Sequence, residues 1–482
     1  MSDLPIRPVS DEQPEPPSAL DRDRWDPTTA DAAPTFPTGR RYPDLSAGRV
    51  ASLGPDGRRA VAPCRPDAST PDRGGPVPAH LSSPVVSAAP AAPAVAFPGP
   101  TQSVLRRRSV GMLSTFPPRL CGLATFAGAL SDALERSALT VVRVAVDDVR
   151  TPAIGVDARL MNGRRSSVLG AAEVLSDCDV AIVQHEFGIF GGRDGDEVIE
   201  LLDALTIPSI VVLHSVPAAP TDHQRRVLEA VCDAASQVVV MTFAAGDRLL
   251  SSYDVDPTPV VMVPHGATLP DRSDPPPHPS LGTGPLHLLT WGLLGRGKGI
   301  EHVVTALAEL RDVRPRVRYT VAGATHPNVF ASEGNRYRDS LMRRSWALGV
   351  AGSVDFDDRY RDVPALMRFV ASCSAVVLPY DSRDQATSGV LVDAIAAGRP
   401  VVATAFPHAI EMLSDGAGIV VPHRDPAALA AAVRSLVDDP ALLHEMSSRA
   451  QALAPDLSWD AVGARYVDLC AGLLSTAVGT VS

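Results

Sequence analysis

From Ser109 onward the chain repeats one pattern, a short run rich in Val, Ile and Leu followed by a longer amphipathic stretch. The apolar runs are "SVGMLSTF", "LTVVRVAV", "CDVAIVQHEF", "PSIVVLHSV", "QVVVMT" and "PVVMVPHGA". Between them lie "LATFAGALSDALERS", "VLGAAEVLSD", "DEVIELLDALT", "TDHQRRVLEAVCDAAS" and "AAGDRLLSSYD". Strands apolar on both faces, each followed by a helix, predict a parallel, doubly wound sheet. "PDRSDPPPHPSLGTGP", residues 270–285, breaks the pattern and reads as a linker. The alternation then restarts at "LHLLTWGLL" and runs through "VRYTVAGA", "SVDF", "SAVVLPY", "VVAT" and "GIVVP", ending in the amphipathic "SWDAVGARYVDLCAGLL". The prediction is α/β, with two Rossmann-like domains over residues 105–275 and 276–455 and a closing helix within 456–482. Residues 1–104 differ: 20 of the 45 prolines fall in the first hundred residues and hydrophobic periodicity is absent. This Pro/Ala-rich extension is expected to be disordered.

Bulk properties exclude several classes. A net charge of -11 argues against a nucleic-acid binder driven by phosphate neutralisation. No apolar run approaches the ~20 residues of a membrane span, and the first residues lack a charged-then-apolar signal pattern. Cys64, Cys121, Cys178, Cys232, Cys373 and Cys470 are scattered without a C-x-x-C pair, so a reducing cytoplasm fits and a disulfide or zinc framework does not.

Ligands of doubly wound sheets sit beyond the carboxyl ends of the strands, so the polar clusters there carry the chemistry. "WGLLGRGKGIEH" places Gly292, Gly295, Gly297 and Gly299 around Arg296 and Lys298, between a strand and a helix. Glycines let backbone approach an anion, the helix start offers N–H groups, and the two cations neutralise phosphate. Thr387, Ser388 and Gly389 precede a predicted helix Val390–Ala397, with Ser388 as N-cap at a second phosphate-binding helix start. Asp393 lies in that apolar helix, and an unpaired buried carboxylate is costly. Either ribose hydroxyls satisfy it, as acids do in dinucleotide sites, or Arg399 pairs with it. Asp147–Asp148 and Asp357–Asp358 are adjacent acid pairs, and no His-x-x-x-His or Cys/His metal spacing accompanies them.

The ordered motifs "STFPPRLCGLATF", "VQHEFGIFGG", "VVLHSVP", "VMVPHGA", "GLLGRGKGIEHVVTAL", "VAGATHP" and "PYDSRDQATSGVLVDAIAAGRPVVAT" resemble the GT-B-fold glycosyltransferases of family 4, within them the bacterial mannosyltransferase-like branch. The resemblance implies an N-terminal acceptor domain, a C-terminal nucleotide-sugar donor domain and a last helix crossing back onto the first domain. It places Gly122 near the donor phosphate or acceptor and His214 near the transferred sugar. Lys298 and Arg296 fall on the diphosphate, Arg296 displaced from the family's usual spacing. The amides of Ser388, Gly389 and Val390 would join them there. Asp393 takes the place of the ribose-binding acid, and Gln385, eight residues earlier, that of the acid contacting the sugar. His185 and Glu186 are read as lining the acceptor side. The implied reaction is metal-independent and retaining. A hexosyl group, mannose by branch, moves from a nucleoside diphosphate sugar, a co-substrate rather than a cofactor, to a carbohydrate or lipid-linked acceptor. "LRRRS", Leu105–Ser109, offers a peripheral membrane contact. Two other readings fit the same residues: a GT-B nucleotide-sugar epimerase, and a degenerate protein that binds nucleotide sugar without turnover.

Overall fold

A computed structural model describes residues 51–52, 108–119, 121–147, 154–271, 284–314, 316–359 and 361–479. The strands of the first lobe are β1 (Ala51–Ser52), β2 (Ser109–Ser114), β3 (Thr140–Asp147), β4 (Ala158–Met161), β5 (Val180–His185), β6 (Ser209–Leu213), β7 (Gln237–Val240) and β8 (Val260–Met262). Its helices are α1 (Gly122–Arg136), α2 (Arg165–Ser176), α3 (Glu197–Ala204), α4 (Asp222–Ala234) and α5 (Phe243–Ser252). The sheet order is β1-β8-β7-β6-β5-β2-β3-β4. All pairings are parallel except that of β1, whose Ala51 and Ser52 oppose Met262 and Val261. The rest of the predicted extension, like Leu105–Arg107, lies outside the described residues.

The second lobe has strands β9 (Leu286–Trp291), β10 (Val317–Ala322), β11 (Val354–Asp357), β12 (Ala375–Leu378), β13 (Val401–Thr404) and β14 (Gly418–Val421), ordered β11-β10-β9-β12-β13-β14 and parallel throughout. Its helices are α6 (Ile300–Glu309), α7 (Pro327–Glu333), α8 (Arg336–Ala347), α9 (Val363–Ala371), α10 (Gly389–Ala396), α11 (Pro407–Leu413), α12 (Pro426–Asp438) and α13 (Pro440–Leu453). The strand order reverses between β2 and β5 in one lobe and between β9 and β12 in the other. Those two points are where a crevice opens in such sheets.

The strand sequences explain the layering. Successive side chains point to opposite faces. Leu113, Val183 and Val211 therefore enter one core, while Met112, Ile182 and Val212 enter another on the opposite face. The second sheet divides likewise, with Leu288 and Val377 on one side and Leu289 and Val376 on the other. Helix starts are set locally. Thr221 and Gln224 form a reciprocal capping box at α4, and Asp362 and Asp425 cap α9 and α12.

Besides β1, the elements that go beyond the sequence expectation include β4, α7 and α11, taken in that order. The first is a four-residue edge strand, and the helices are seven residues each, too short for a 3.6-residue period to register. The helix expected over Val390–Ala397 begins and ends one residue earlier.

The closing helix α14 (Trp459–Gly479) leaves the second lobe and packs on α1 of the first. Ala267 N–H donates to Leu457 O at 2.7 Å and Trp459 N–H to Ala267 O at 3.2 Å. Trp459 packs against Gly266, where any Cβ would collide with the indole. Val462, Tyr466 and Leu469 enter the first lobe's core. Trp459→Ala is expected to remove about 3–5 kcal/mol of stability, read by urea denaturation. A loss near zero would show that α14 is not anchored through its indole.

Candidate active site

The carboxyl ends of the two sheets face each other through specific contacts. Thr242, the N-cap of α5, donates its hydroxyl to Ala386 O at 2.9 Å. Arg248 on α5 reaches Asp384 O at 2.8 Å. Glu411 on α11 accepts from Phe243 N–H at 3.0 Å and Ala244 N–H at 2.9 Å, so a carboxylate sits at the positive end of α5. His265 of the first lobe meets Gly389 of the second, where an added Cβ would lie 2.9 Å from His265 Nε2.

On the second lobe, the β9–α6 and β12–α10 loops are zipped together. Asp381 N–H donates to Gly297 O at 2.9 Å. Gly299 begins α6 in the left-handed region (φ 64°), pressed against the Pro379 carbonyl, a place where a side chain fits neither the space nor the torsion. Lys298 projects its ammonium over the Tyr380 ring, 4.4 Å from the centroid, and the Ser388 hydroxyl adjoins the Tyr380 phenol. Among the described residues no carboxylate pairs with Lys298, and burial pulls its pKa below the usual lysine range.

Ser388 caps α10, its hydroxyl accepting from Leu391 N–H at 3.3 Å. Its own N–H was expected to face phosphate, but it donates instead to His408 Nδ1 at 2.8 Å. The amides without a hydrogen bond among the described residues are those of Gly389 and Val390. Arg296 is likewise engaged elsewhere. It is exposed and forms a two-pronged pair with Glu333 at 3.2 and 3.0 Å. Gln385 folds back to donate its amide to Thr387 O at 3.2 Å, and Thr387 is half-buried beside it.

Asp393 is half-buried, and no hydrogen bond or ion pair engages its carboxylate among the described residues. The alternative of pairing with Arg399 does not hold. That guanidinium donates to the carbonyls of Ala397 and Cys373 at 3.3 and 3.2 Å. Burial pushes the bare Asp393 carboxyl up to about 7.

On the first lobe, Phe126 of α1 gathers His214, His265 and Trp459 edge-on, at centroid distances of 4.9, 5.0 and 5.1 Å. His214 Nε2 meets Gln184 Oε1 at 2.7 Å, which places the proton on Nε2. Burial, then the neighbouring His265 and His185, lowers its pKa to about 3. His185 is fully buried at the end of β5, both ring nitrogens lack a partner among the described residues, and burial holds it near 4. Glu186 accepts from the Ser215 hydroxyl, and burial raises its pKa. Gly122 opens α1, exposed, with free space where a Cβ would stand. His265 and His408 are also held neutral by burial, near 4 and 3. All four imidazoles are therefore uncharged, and His265 and His408 come from opposite lobes.

His265 stands out in the sequence at a strand end, in "VMVPHGA", but was assigned no role, and His408 was not singled out although it follows the end of β13. Among possible metal ligands, Glu301, His302 and Asp381 approach one another, but each is already bonded. Tyr337 donates to Glu301, and His302 and Arg424 both hold Asp381. Asp357 is engaged by Arg359 and Arg361, which hold its carboxyl far below the usual range.

Two doubly wound lobes meeting across their strand ends, with a helix returning to the first, define the GT-B architecture. Residues 277–453 match the family described as Glycosyl transferases group 1. The chain is 30% identical over 253 residues to a D-inositol 3-phosphate glycosyltransferase of Kineococcus radiotolerans, covering 48% of this chain and 56% of that one. It is 32% identical over 183 residues to a glycogen synthase of Mycobacterium tuberculosis, covering 37% and 41%. The chain thus spans about half the length of the curated relatives it matches. In fold it is similar to sucrose-phosphate synthase from Thermosynechococcus elongatus, with TM-score 0.62 and 18% identity over 77% of this chain and 100% of that one. It is also similar to Anabaena Alr3699/HepE in complex with UDP, with TM-score 0.60 and 17% identity over 76% and 100%. Among the described residues no helix is long and apolar enough to cross a membrane.

The Asp393 geometry has a measurable consequence. Its folded pKa of about 7 lies above the ordinary aspartate value of about 4, so the ligand-free fold binds a proton that the unfolded chain releases. The carboxylate's destabilising effect is absent below pH ~4, grows as pH rises and is complete above pH ~7. Asp393→Asn should therefore stabilise the empty protein at pH 8, by on the order of 2–4 kcal/mol, and leave it unchanged at pH 4. Denaturant titrations at the two pH values test this. Equal effects at both would mean that the carboxylate has an unseen partner.

Proposed function

We propose that the protein is a retaining glycosyltransferase that moves a hexosyl group from a nucleoside diphosphate sugar to an acceptor hydroxyl. The observation that carries this reading is a pair of uncompensated charges. Lys298 lacks an anion and Asp393 lacks donors, yet both belong to one loop-and-helix system and do not neutralise each other. A ligand that satisfies both needs an anionic part and a hydroxylated part. A nucleoside diphosphate has both: the diphosphate for Lys298 and the Gly389 and Val390 amides, the ribose hydroxyls for Asp393.

In this reading Lys298 and the open start of α10 stabilise the charge developing on the leaving diphosphate, so no metal is required for that role. The sugar lies between Gln385 and His214. His214, kept neutral with its Nε2 proton bound to Gln184, offers Nδ1 as a hydrogen-bond acceptor without acting as an obligate base. Retention follows if the leaving phosphate takes the acceptor's proton on the face it departs from. Buried His185 and the Glu186–Ser215 pair line the acceptor side. The similarity to a D-inositol 3-phosphate glycosyltransferase favours a polyol or carbohydrate acceptor. Mannose remains the donor sugar to test first, beside glucose, whose nucleotide sugar is named for one fold neighbour. A lipid-linked acceptor and work at the inner membrane face belong to the same proposal.

The engagement of Arg296 by Glu333 and the inward fold of Gln385 favour a second reading, binding of nucleotide sugar without turnover. A screen of GDP-, UDP- and ADP-sugars, scored by nucleoside diphosphate release with and without polyol acceptors, separates the two. Lys298→Ala should lower kcat/KM by about 100-fold or more, the effect of removing one donor to a developing anion. Near-normal turnover would reassign the lysine to packing on Tyr380.

A further inference from the structure

We propose that His408 is a positioning residue that templates the donor-side loop 385–388 and fixes the start of α10 for a diphosphate. The proposal rests on the reading of α10 as a diphosphate-binding helix. His408 is fully buried on α11, the seven-residue helix following β13. It touches the loop at both ends. Its ring Nδ1 accepts Ser388 N–H at 2.8 Å, and its own backbone N–H points to Gln385 O at 3.5 Å. One residue thus spans the segment that carries Gln385, Thr387 and the N-cap of α10.

The bond to Ser388 dictates the chemistry of the ring. An acceptor Nδ1 is unprotonated, so the neutral imidazole carries its hydrogen on Nε2. That Nε2–H is buried and has no partner among the described residues, an unsatisfied donor of the kind a packed interior rarely tolerates without a role. The ring lies close to His265, whose Nε2 would stand 2.9 Å from a Cβ at Gly389. Two imidazoles, one from each lobe, therefore flank the Ser388–Gly389 step.

Taking Ser388 N–H out of play has a directional effect. An anion arriving at α10 finds the Gly389 and Val390 amides unoccupied, while the Ser388 N–H is turned away and its hydroxyl accepts from Leu391 N–H. Without the imidazole the Ser388 amide would be free to rotate toward the anion or toward water, and the loop would lose its fixed end. α11 is itself held from the opposite lobe, since Glu411, three residues after His408, accepts the first two amides of α5. The template for the donor loop is thus braced by the lobe that would hold the acceptor.

The test uses the full chain with His408→Leu and His408→Asn. Leucine fills the volume and removes the acceptor, whereas asparagine keeps an oxygen near the position of Nδ1. Three readouts are compared: hydrogen exchange of the Ser388 amide, affinity for inorganic pyrophosphate, and donor KM against kcat. The expected result is faster Ser388 exchange and about tenfold weaker pyrophosphate binding in the leucine variant. Donor KM should rise by a similar factor with kcat little changed, and asparagine should restore all three. Ser388 exchange or pyrophosphate affinity equal in wild type and the leucine variant overturns the proposal, as does failure of the wild type to bind pyrophosphate. A His408-dependent pyrophosphate site in a protein that turns over no nucleotide sugar supports the positioning role while rejecting the transferase reading.

Discussion

The two carboxylate oxygens of Glu411 accept the first two amides of α5, and on that contact the relation between the lobes depends. A helix start presents N–H groups without internal partners and a partial positive charge, so a carboxylate placed there satisfies both at once. With α5 held, Thr242 and Arg248 reach the carbonyls of Ala386 and Asp384, and His265 settles against Gly389. The same geometry brings the switch point of one sheet opposite that of the other. The return of α14 onto α1 closes the arrangement from behind, with Trp459 wedged between Gly266 and Phe126.

The electrostatics of the junction are organised by burial more than by ion pairing. His185, His214, His265 and His408 are all driven neutral by desolvation, and the last three supply hydrogen-bond geometry without fixed charge. Among the described residues neither Lys298 nor Asp393 has an oppositely charged partner, and they lie on the elements whose starts meet around Tyr380. Arg296 shows the contrary case, an exposed cation whose Glu333 partner makes it self-sufficient.

Much of this architecture was legible in the sequence. The strand runs were long, continuous and separated by amphipathic helices, so the parallel sheets follow from periodicity. Lys298 and Asp393 stood out because a cation among glycines and an acid inside an apolar helix each break a local rule. What could not be read were ties between distant residues. Glu333 captures Arg296 from 37 residues away, and His408 captures Ser388 N–H from 20 residues away. Neither partner carries a sequence mark of its own. His408 sits in a short helix that periodicity does not reveal, although its place after the end of β13 follows the same strand-end logic that singled out His214.

In the proposed function the Asp393 carboxylate takes the ribose hydroxyls of a nucleoside diphosphate. Calorimetric titration of nucleoside diphosphates at pH 7, repeated in buffers of different ionisation enthalpy, measures the protons exchanged on binding. Hydroxyl donors favour the ionised carboxylate and lower a pKa that stands at about 7 in the empty site. The wild type should therefore release on the order of half a proton more than Asp393→Asn. Equal proton release by the two proteins, with equal affinity, would contradict the assignment and return Asp393 to a structural role.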